Sequence, residues 1–325
     1  MTMRRRDFIA ALGGAAAFPL AARGQQASIG FLHSGLEREW TYALAAFHDG
    51  LKAAGYTDKQ NVTIEYRWAD DQYDRLPALA ADLVGRKNSA IVAGGGTLAA
   101  LAAKRATSTI PIVIAVGSDP VKMGLVASLN RPGGNVTGVS FLLNALVAKR
   151  LELLRELVPA ARLIGIITNP QNPNAENDLK ETEAAARTLS LHTVMAGARS
   201  EAEMEAAFEA LRRQSADALI FLPDPNFLSR RNQIVALAAR YKLPAMYFGR
   251  EFAMAGGLMS YSTSLPEAYR LAAGYVSRIL KGEKPAELPV LQPTKFEFVI
   301  NLTTAKALGL DVPPFLQQRA DEVIE

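Results

Sequence analysis

The sequence of 325 residues contains no cysteine. No disulfide can form, and no thiolate is available as a nucleophile or metal ligand. Histidine is also scarce, and His33, His48 and His192 show no HExxH spacing. A transition-metal site would therefore lack ligands, and we expect no bound metal.

Two nucleotide and hydrolase motifs are missing as well: the sequence has no GxxxxGK[ST] phosphate loop and no GxSxG nucleophile elbow. Beyond the first two dozen residues, no uncharged apolar run reaches the length of about 18 residues that spans a bilayer. We therefore expect neither a nucleotide hydrolase nor an integral membrane protein.

The N-terminal residues 1–24 have the pattern of an export signal. Arg4 to Arg6 precede a short apolar stretch, and Ala22 and Gly24 flank a small-x-small cleavage site. The pair Arg5 and Arg6 also matches a twin-arginine signal, which is read by machinery that exports folded proteins. We expect a mature protein that begins near Gln25 and resides in the periplasm.

Net charge changes when this segment is removed. The chain has 36 Lys and Arg against 32 Asp and Glu, and residues 1–24 hold four of the basic and one of the acidic residues, which leaves 32 against 31. A charge near neutrality gives no reason to expect a nucleic acid or an anionic membrane as a partner.

Short apolar runs alternate with helical patterns, which is typical of parallel α/β architecture. The first half predicts strands at 28–33, 62–68, 89–94, 111–117 and 135–140, with helices at 40–54, 73–86 and 98–107. The second half predicts strands at 162–168, 191–196, 217–222 and 244–247, with helices at 175–189, 201–214 and 229–241. The tail predicts a helix at 267–281, an extended stretch at 284–294, a strand at 296–301 and a helix at 303–308.

This repeated rhythm predicts two lobes, each a parallel sheet flanked by helices, with a ligand crevice at the carboxyl ends of the strands. We assign residues 28–141 and about 262–283 to the first lobe. We assign residues 142–261 and about 284–325 to the second.

One long segment carries a family resemblance: DPVKMGLVASLNRPGGNVTG at residues 119–138, supported by LLRELVP at 153–159, GGLMSY at 256–261 and RADEVIE at 319–325. The chain resembles the ABC-type substrate-binding proteins that include tryptophan- and tyrosine-binding lipoproteins. The resemblance implies a two-lobed, type I-like periplasmic-binding-protein fold that closes on a small ligand and delivers it to a membrane permease. It implies a non-enzymatic monomer without a cofactor. The lipoprotein relatives carry a lipidated cysteine, whereas this chain has none, so we expect a freely soluble periplasmic protein.

The most specific local feature is the loop between the third strand and its helix. Gly95 and Gly96 would let the backbone approach a ligand, and the N–H groups of the helix favour an anion such as a carboxylate. In the family this loop commonly supplies a Ser or Thr to the ligand, and Thr97 holds that position. Alternatively, Thr97 only caps the helix and the glycines only form the turn.

The next strand ends at Ser118 and Asp119. Asp119 is a candidate partner for a ligand ammonium group, which together with a carboxylate at Thr97 would recognise an α-amino acid. Alternatively, Asp119 caps a following helix that has Pro120 in its first turn. Ser34 and Ser140, each after a strand, would complete a rim of hydroxyl groups on the same side of the sheet.

The second lobe offers polar and aromatic candidates after its own strands. They are Asn169, Asn172, Asp224, Phe248 and Arg250. Arg250 would either bind a second carboxylate or pair with Glu251. With Phe248, the rings of Trp40, Phe141, Phe227 and Tyr247 are candidates to enclose a flat ligand.

A second functional class remains open at the glycine loop. Gly94, Gly96 and Ala99 follow a strand with dinucleotide-fingerprint spacing, and Asp119 lies downstream, so an exported dinucleotide-dependent oxidoreductase is the alternative. The motif lies in the third β-α unit rather than in the first, which argues against it. A sugar-responsive repressor of the same fold would need a DNA-binding helix-turn-helix where the export signal stands.

The export signal generates the first prediction. Replacing Arg5 and Arg6 by lysine should retain the precursor in the cytoplasm, because the twin-arginine machinery reads the arginine pair. Fractionation and immunoblotting of the two forms would measure this. Unchanged export of the double variant would contradict the twin-arginine assignment.

Overall fold

The computed structural model describes residues 26–325, so the predicted export signal lies outside the described residues. Twelve strands occur in this range: β1 Ala27–His33, β2 Val62–Trp68, β3 Ala90–Gly94, β4 Ile112–Val116, β5 Val136–Ser140, β6 Leu163–Thr168, β7 His192–Gly197, β8 Ala218–Phe221, β9 Ala245–Tyr247, β10 Met259–Thr263, β11 Phe296–Asn301 and β12 Glu322–Ile324.

Twelve α-helices occur in the same range: α1 Thr41–Ala53, α2 Leu76–Gly85, α3 Thr97–Ala106, α4 Val147–Leu157, α5 Ala175–Thr188, α6 Glu201–Arg213, α7 Pro225–Ser229, α8 Arg231–Tyr241, α9 Arg250–Met254, α10 Leu265–Leu280, α11 Leu302–Ala307 and α12 Pro314–Arg319. Short 3-10 turns at Glu37–Glu39, Tyr73–Arg75, Leu143–Leu146 and Pro285–Glu287 complete the secondary structure. No helix among residues 26–325 is long and apolar enough to cross a bilayer.

The strands form two sheets. The first has the order β2-β1-β3-β4-β5 and is entirely parallel. The second has the order β12-β11-β10-β9-β8-β6-β7 and contains one antiparallel pair, β10 with β11. Every residue of β3 and β4 is buried, as expected for parallel strands covered by helices on both faces. The predicted α/β class with two parallel-sheet lobes is confirmed.

The chain crosses between the lobes three times. It leaves the first sheet after β5, returns after β10 to add α10 to the first lobe, and crosses again before β11. Helix α10 packs on α1 and on β3, β4 and β5, which joins a late segment of the sequence to the first sheet.

The assignment of the tail to the second lobe from about residue 284 needs correction. The Leu291 N–H donates to the Gly138 carbonyl at 2.9 Å, and the Leu291 carbonyl accepts from the Ser140 N–H at 2.9 Å. The Thr137 hydroxyl donates to the Leu288 carbonyl at 2.6 Å. Residues 288–291 therefore pair with β5, because the exposed edge of the first sheet offers free backbone groups to this extended segment.

Contact between α1 and α10 depends on a glycine. A Cβ atom on Gly50 would lie 2.7 Å from the Arg270 carbonyl oxygen and 2.8 Å from the Ala273 Cβ. By contrast, a Cβ atom on Gly274 of α10 would meet no atom within 4 Å. Both glycines are helical, so they differ mainly in the space around them.

These two glycines form a matched pair for a stability test. Gly50→Ala should lower the free energy of unfolding by about 1–3 kcal/mol, because the clash separates two packed helices. Gly274→Ala should raise it by up to about 1 kcal/mol, since alanine is the better helix former and has room. Denaturant unfolding would measure both changes. A stabilising Gly50→Ala variant would show that the helices are not closely packed there.

Candidate functional site

A cavity lies between the two sheets at the carboxyl ends of their strands. Its empty space, part of which opens to solvent, is about 500 Å³. It is lined by Trp40, Gly95, Gly96, Thr97, Ala115, Gly117, Ser118, Phe141, Leu143, Asn144, Asn172, Asn174, Pro223, Asp224, Pro225, Leu228, Phe248, Leu265 and Tyr269. We call this space the cleft.

The glycine loop forms one wall of the cleft. Gly95 and Gly96 have φ values of +70° and +96°, which side chains rarely tolerate. A Cβ atom on Gly96 would lie 2.8 Å from Cγ of Pro225, a residue of the opposite lobe. Glycine is therefore required here both for the turn and for the close approach of the lobes.

Thr97 is the first residue of α3, and Gly96 occupies the capping position without a side-chain cap. The alternative in which Thr97 caps the helix is not observed. Its hydroxyl instead lies 2.7 Å from Ser118 Oγ and accepts a hydrogen bond from Asn174 Nδ2 of the second lobe at 2.9 Å. Thr97 thus links two strand ends of one lobe to a helix start of the other.

Asp119 does not line the cleft. Its Oδ1 accepts hydrogen bonds from the N–H groups of Val121 at 2.9 Å and Lys122 at 3.2 Å. A turn rather than a helix follows Asp119, and the carboxylate stabilises that turn. The expected helix at Pro120 is absent, so Asp119 caps a turn instead, and its carboxylate lies outside the lining of the cleft.

Asp224 is the carboxylate that does line the cleft, and only 3% of its surface is exposed. Its Oδ1 accepts from the Tyr73 hydroxyl at 2.9 Å, from Asn169 Nδ2 at 3.1 Å and from the Asn226 N–H at 3.0 Å. Its Oδ2 accepts from Asn172 Nδ2 at 2.9 Å.

All of these donors to Asp224 are neutral, and no cation among residues 26–325 forms an ion pair with it. Burial raises the pKa of Asp224, while the hydrogen bonds from Asn169 and Tyr73 oppose that rise. The site thus holds a buried acidic group that lacks a positive counter-charge.

Apolar side chains form the remaining walls of the cleft. Trp40 and Phe141 come from the first lobe and the crossing, and Phe248 comes from the second lobe. Two other aromatic candidates lie elsewhere. Phe227 and Tyr247 are fully buried in the aromatic core around Phe221, outside the cleft.

Besides Asp119, four other predicted residues do not line the cleft. Ser34 donates to the Gly95 carbonyl and Ser140 donates to the Ser118 carbonyl at 2.8 Å, so both support the loops that carry lining residues. Asn169 acts through Asp224. Arg250 pairs with Glu322 of β12 at 2.5 Å rather than with Glu251.

Several lining residues were not predicted, notably Asn144, Asn174, Leu143, Leu265 and Tyr269. Asn174 follows the two Asn-Pro pairs after β6, and this cluster of polar turn residues was the available signal. Tyr269 lies inside an amphipathic helix and has the spacing of a core residue, so the sequence offered no signal for it.

The lobes are closed on each other through polar contacts at the rim. The Ser229 hydroxyl donates to Asp71 Oδ1 at 3.1 Å, and Arg231 lies 2.9 Å from Glu39. Lys122 pairs with Glu181 at 3.1 Å on another side of the cleft. Each pair joins one residue from each lobe, so opening the cleft would break them.

Comparison with known proteins now adds to this geometry. A model of the ABC transporter substrate binding protein family matches residues 40–324. The chain belongs to this family. It is 29% identical over 269 residues to a tyrosine-binding protein of Clostridioides difficile strain R20291, which covers 82% of this chain and 76% of that relative.

Two solved structures of such substrate-binding proteins bear on the lobe arrangement. One is an ABC domain from Streptococcus pneumoniae in complex with L-Trp, with 26% identity, a TM-score of 0.84 and coverage of 92% of this chain and 100% of that chain. The other is a ligand-free, open substrate-binding protein from Clostridium difficile, with 26% identity, a TM-score of 0.67 and coverage of 92% and 99%. At equal identity, this chain is less similar in structure to the ligand-free, open protein than to the L-Trp complex, in agreement with the contacts between its lobes.

Family membership also answers the dinucleotide alternative. The matched family consists of substrate-binding proteins, so this chain is a substrate-binding protein and not an oxidoreductase. Of the three residues in that spacing, only Gly96 lines the cleft, where it leaves room for Pro225 of the opposite lobe.

The Asp71 contact predicts that closure depends on pH. Burial raises the pKa of Asp71 to about 7, and its Oδ2 is buried without a hydrogen-bond partner. Opening would return this carboxyl to water, where an aspartate has a pKa near ~3.9. The closed form therefore binds a proton more tightly, so closure is favoured at low pH and weakens as pH rises from about 4 to about 7.

Small-angle scattering at pH 5 and pH 8 would measure this effect as a larger radius of gyration at pH 8. Asp71→Asn should expand less than the wild type between these two values, because the amide carries no charge into the interface, whereas Asp224 retains its own buried carboxyl. Asp70→Asn is the matched control, since Asp70 is exposed and pairs with Arg75 of its own lobe at 2.5 Å. A full pH response in Asp71→Asn would exclude Asp71 as its source.

Proposed function

We propose that this chain is the exported binding component of an ABC importer and that it takes an aromatic α-amino acid into the cleft. The observation that carries the proposal is Asp224, a buried carboxylate that lines the cleft without a cationic partner among the described residues. A ligand ammonium group would supply the missing charge.

An ammonium is favoured by the geometry around Asp224. Its Oδ1 already accepts three hydrogen bonds, whereas Oδ2 accepts one from Asn172 and retains acceptor capacity. An ammonium is a donor only, so it complements this oxygen. A neutral sugar hydroxyl would leave the buried charge unbalanced, and this costs free energy.

The ligand carboxylate is assigned to the start of α3 on the opposite wall. The first N–H groups of a helix have no partner within the helix and favour an anion. Thr97 stands at this position and lines the cleft together with Ser118 and Asn174. An α-amino acid places its two charged groups close together, so it suits a cleft with an acid on one wall and a helix start on the other.

The side chain of the ligand would lie among the apolar walls. Trp40, Phe141, Leu143, Phe248 and Leu265 surround this part of the cleft. Aromatic rings pack favourably against such walls. The tyrosine-binding relative and the L-Trp complex support an aromatic amino acid as the ligand.

Delivery to an inner-membrane permease follows from the role of such proteins in ABC transport and from the two-lobed closure. The permease would distinguish closed from open lobes, so that ligand binding is coupled to transfer. The twin-arginine signal supports export to the periplasm. The near-neutral mature sequence supports a partner other than nucleic acid, and we propose that the protein acts as a monomer.

Calorimetric titration with L-tyrosine, L-tryptophan, the matching deaminated acids and glucose would test this function. We expect an aromatic amino acid to bind best and glucose not to bind. Asp224→Asn should weaken the amino acid by about 2–5 kcal/mol, because the ammonium loses its charged partner. The same variant should leave the deaminated acid nearly unchanged or improved.

Asp119→Asn is the matched control, because Asp119 lies at a neighbouring strand end but binds only backbone N–H groups. It should leave both affinities unchanged. Melting temperatures without ligand would show that each variant is folded. Binding of glucose alone, or equal losses for both ligand types in Asp224→Asn, would refute the amino-acid assignment.

A further inference from the structure

Three residues behind the glycine loop form a hydrogen-bonded chain that ends at the cleft. His33 is fully buried at the end of β1, and Tyr269 is 1% exposed in α10 and lines the cleft. His33 Nε2 lies 2.9 Å from the Tyr269 hydroxyl, and the Gly35 N–H donates to His33 Nδ1 at 3.0 Å. The chain therefore runs from Gly35 through His33 to Tyr269.

The direction of each hydrogen bond in this chain follows from its first member. A backbone N–H can only donate, so Nδ1 of His33 must be the acceptor and its single ring hydrogen must lie on Nε2. Burial lowers the pKa of His33 to about 3, which keeps the ring neutral. The Nε2–H group therefore donates to the Tyr269 hydroxyl.

The Tyr269 oxygen accepts a second hydrogen bond from the Gly95 N–H at 3.2 Å. Both of its accepting positions are then occupied, while its own hydrogen has no acceptor among residues 26–325. Burial raises the pKa of this phenol, so the hydrogen stays on the oxygen. A buried donor without an acceptor costs free energy unless a ligand or water accepts from it.

The position of this donor matches the proposed carboxylate site. Gly95, which donates to Tyr269, also lines the cleft and is followed by Gly96 and Thr97 at the start of α3. The phenol O–H and the helix start thus lie on the same wall. The Gly95 N–H donates to the Tyr269 oxygen and is therefore not free to donate to a ligand. The O–H group of Tyr269 is the donor that remains on this wall.

We propose that Tyr269 is a specificity-determining residue whose hydroxyl donates a hydrogen bond to a carboxylate oxygen of the ligand. His33 is a positioning residue that directs this hydroxyl by donating to it. The inference rests on the proposed function, since it requires a ligand with an acceptor at this wall of the cleft. It gives an acceptor to the hydroxyl hydrogen of Tyr269, whose oxygen already accepts two hydrogen bonds at the wall of the cleft.

The experiment compares a ligand pair that differs only in the acceptor. The probes are L-tryptophan and tryptamine, with L-tyrosine and tyramine as the second pair. Tyr269→Phe should weaken the amino acid at least tenfold and the amine less than threefold, so that the preference for the carboxylate falls. Calorimetry on both members of each pair gives the ratio of the dissociation constants of the amine and the amino acid, which measures this preference.

Tyr275→Phe is the matched control on the same helix. The Tyr275 side chain is also buried, and its hydroxyl donates to the Pro289 carbonyl outside the cleft. It should leave both affinities unchanged. His33→Phe should weaken the amino acid by a smaller factor than Tyr269→Phe, and His33→Gln should recover part of that loss, because its amide can donate to the phenol.

The outcomes separate this inference from the proposed function. If the wild-type protein binds neither amino acid, the proposed function fails and this inference fails with it. If the wild type binds an amino acid but Tyr269→Phe weakens acid and amine equally, the hydroxyl has only a structural role and this inference alone is overturned. Melting temperatures of each variant without ligand would show whether it is folded.

Discussion

Parallel strand direction is the constraint from which the position of the site follows. Neighbouring strands run in the same direction in β1 to β5 and in β6, β8 and β9. Each of these strands must therefore be followed by a segment that brings the chain back to the end of the sheet where the strands begin. The carboxyl ends of these strands then lie at one end of each sheet. In this chain those two ends face each other, and the strand-to-helix loops of both lobes enclose the cleft.

The cleft combines a buried negative charge with a network of neutral donors. Asp224 lies in the second lobe and is held by two asparagines of that lobe, and Tyr73 of the first lobe adds a hydrogen bond that forms only when the lobes approach. Thr97 and Asn174 form a similar contact across the cleft. Buried polar groups need partners, and here part of the partnership is provided between lobes. Closure therefore completes the hydrogen bonding of Asp224 and of Thr97.

Helix α10 gives the first lobe a residue from late in the sequence. The chain finishes β10 in the second sheet and then returns to pack α10 on α1 through the contact at Gly50. That packing brings Tyr269 behind the glycine loop, 174 residues away from Gly95 in the sequence. The crossings thus do more than connect the lobes, because one of them delivers a side chain to the cleft.

Local sequence patterns predicted most of the secondary structure. The bounds of β2 and β11 match the predictions at 62–68 and 296–301, since apolar runs between turn residues mark buried strands clearly. Six elements were not predicted: the strands β10 and β12 and the helices α4, α7, α9 and α12. Strand β10 is rich in serine and threonine, and the charged residues of α4 mask its apolar face. The other four elements have only three to six residues each, too few to show a period. The pairing of residues 288–291 with β5 in the first lobe was also not predicted, because no local sequence pattern indicates which sheet an extended segment joins.

For the site, the sequence by itself determined the loops at strand ends, and these loops provide Gly95, Gly96, Thr97, Ser118, Phe141, Asn172, Asp224 and Phe248 to the walls of the cleft. Tertiary structure decided which carboxylate lines the cleft. Asp119 and Asp224 both follow a strand and precede a proline, yet Asp119 only caps its own turn, whereas Asp224 caps α7 and also lines the cleft. Strand and helix periodicity arise from neighbours along the chain, whereas the partner of a polar group depends on segments brought together from distant parts of it.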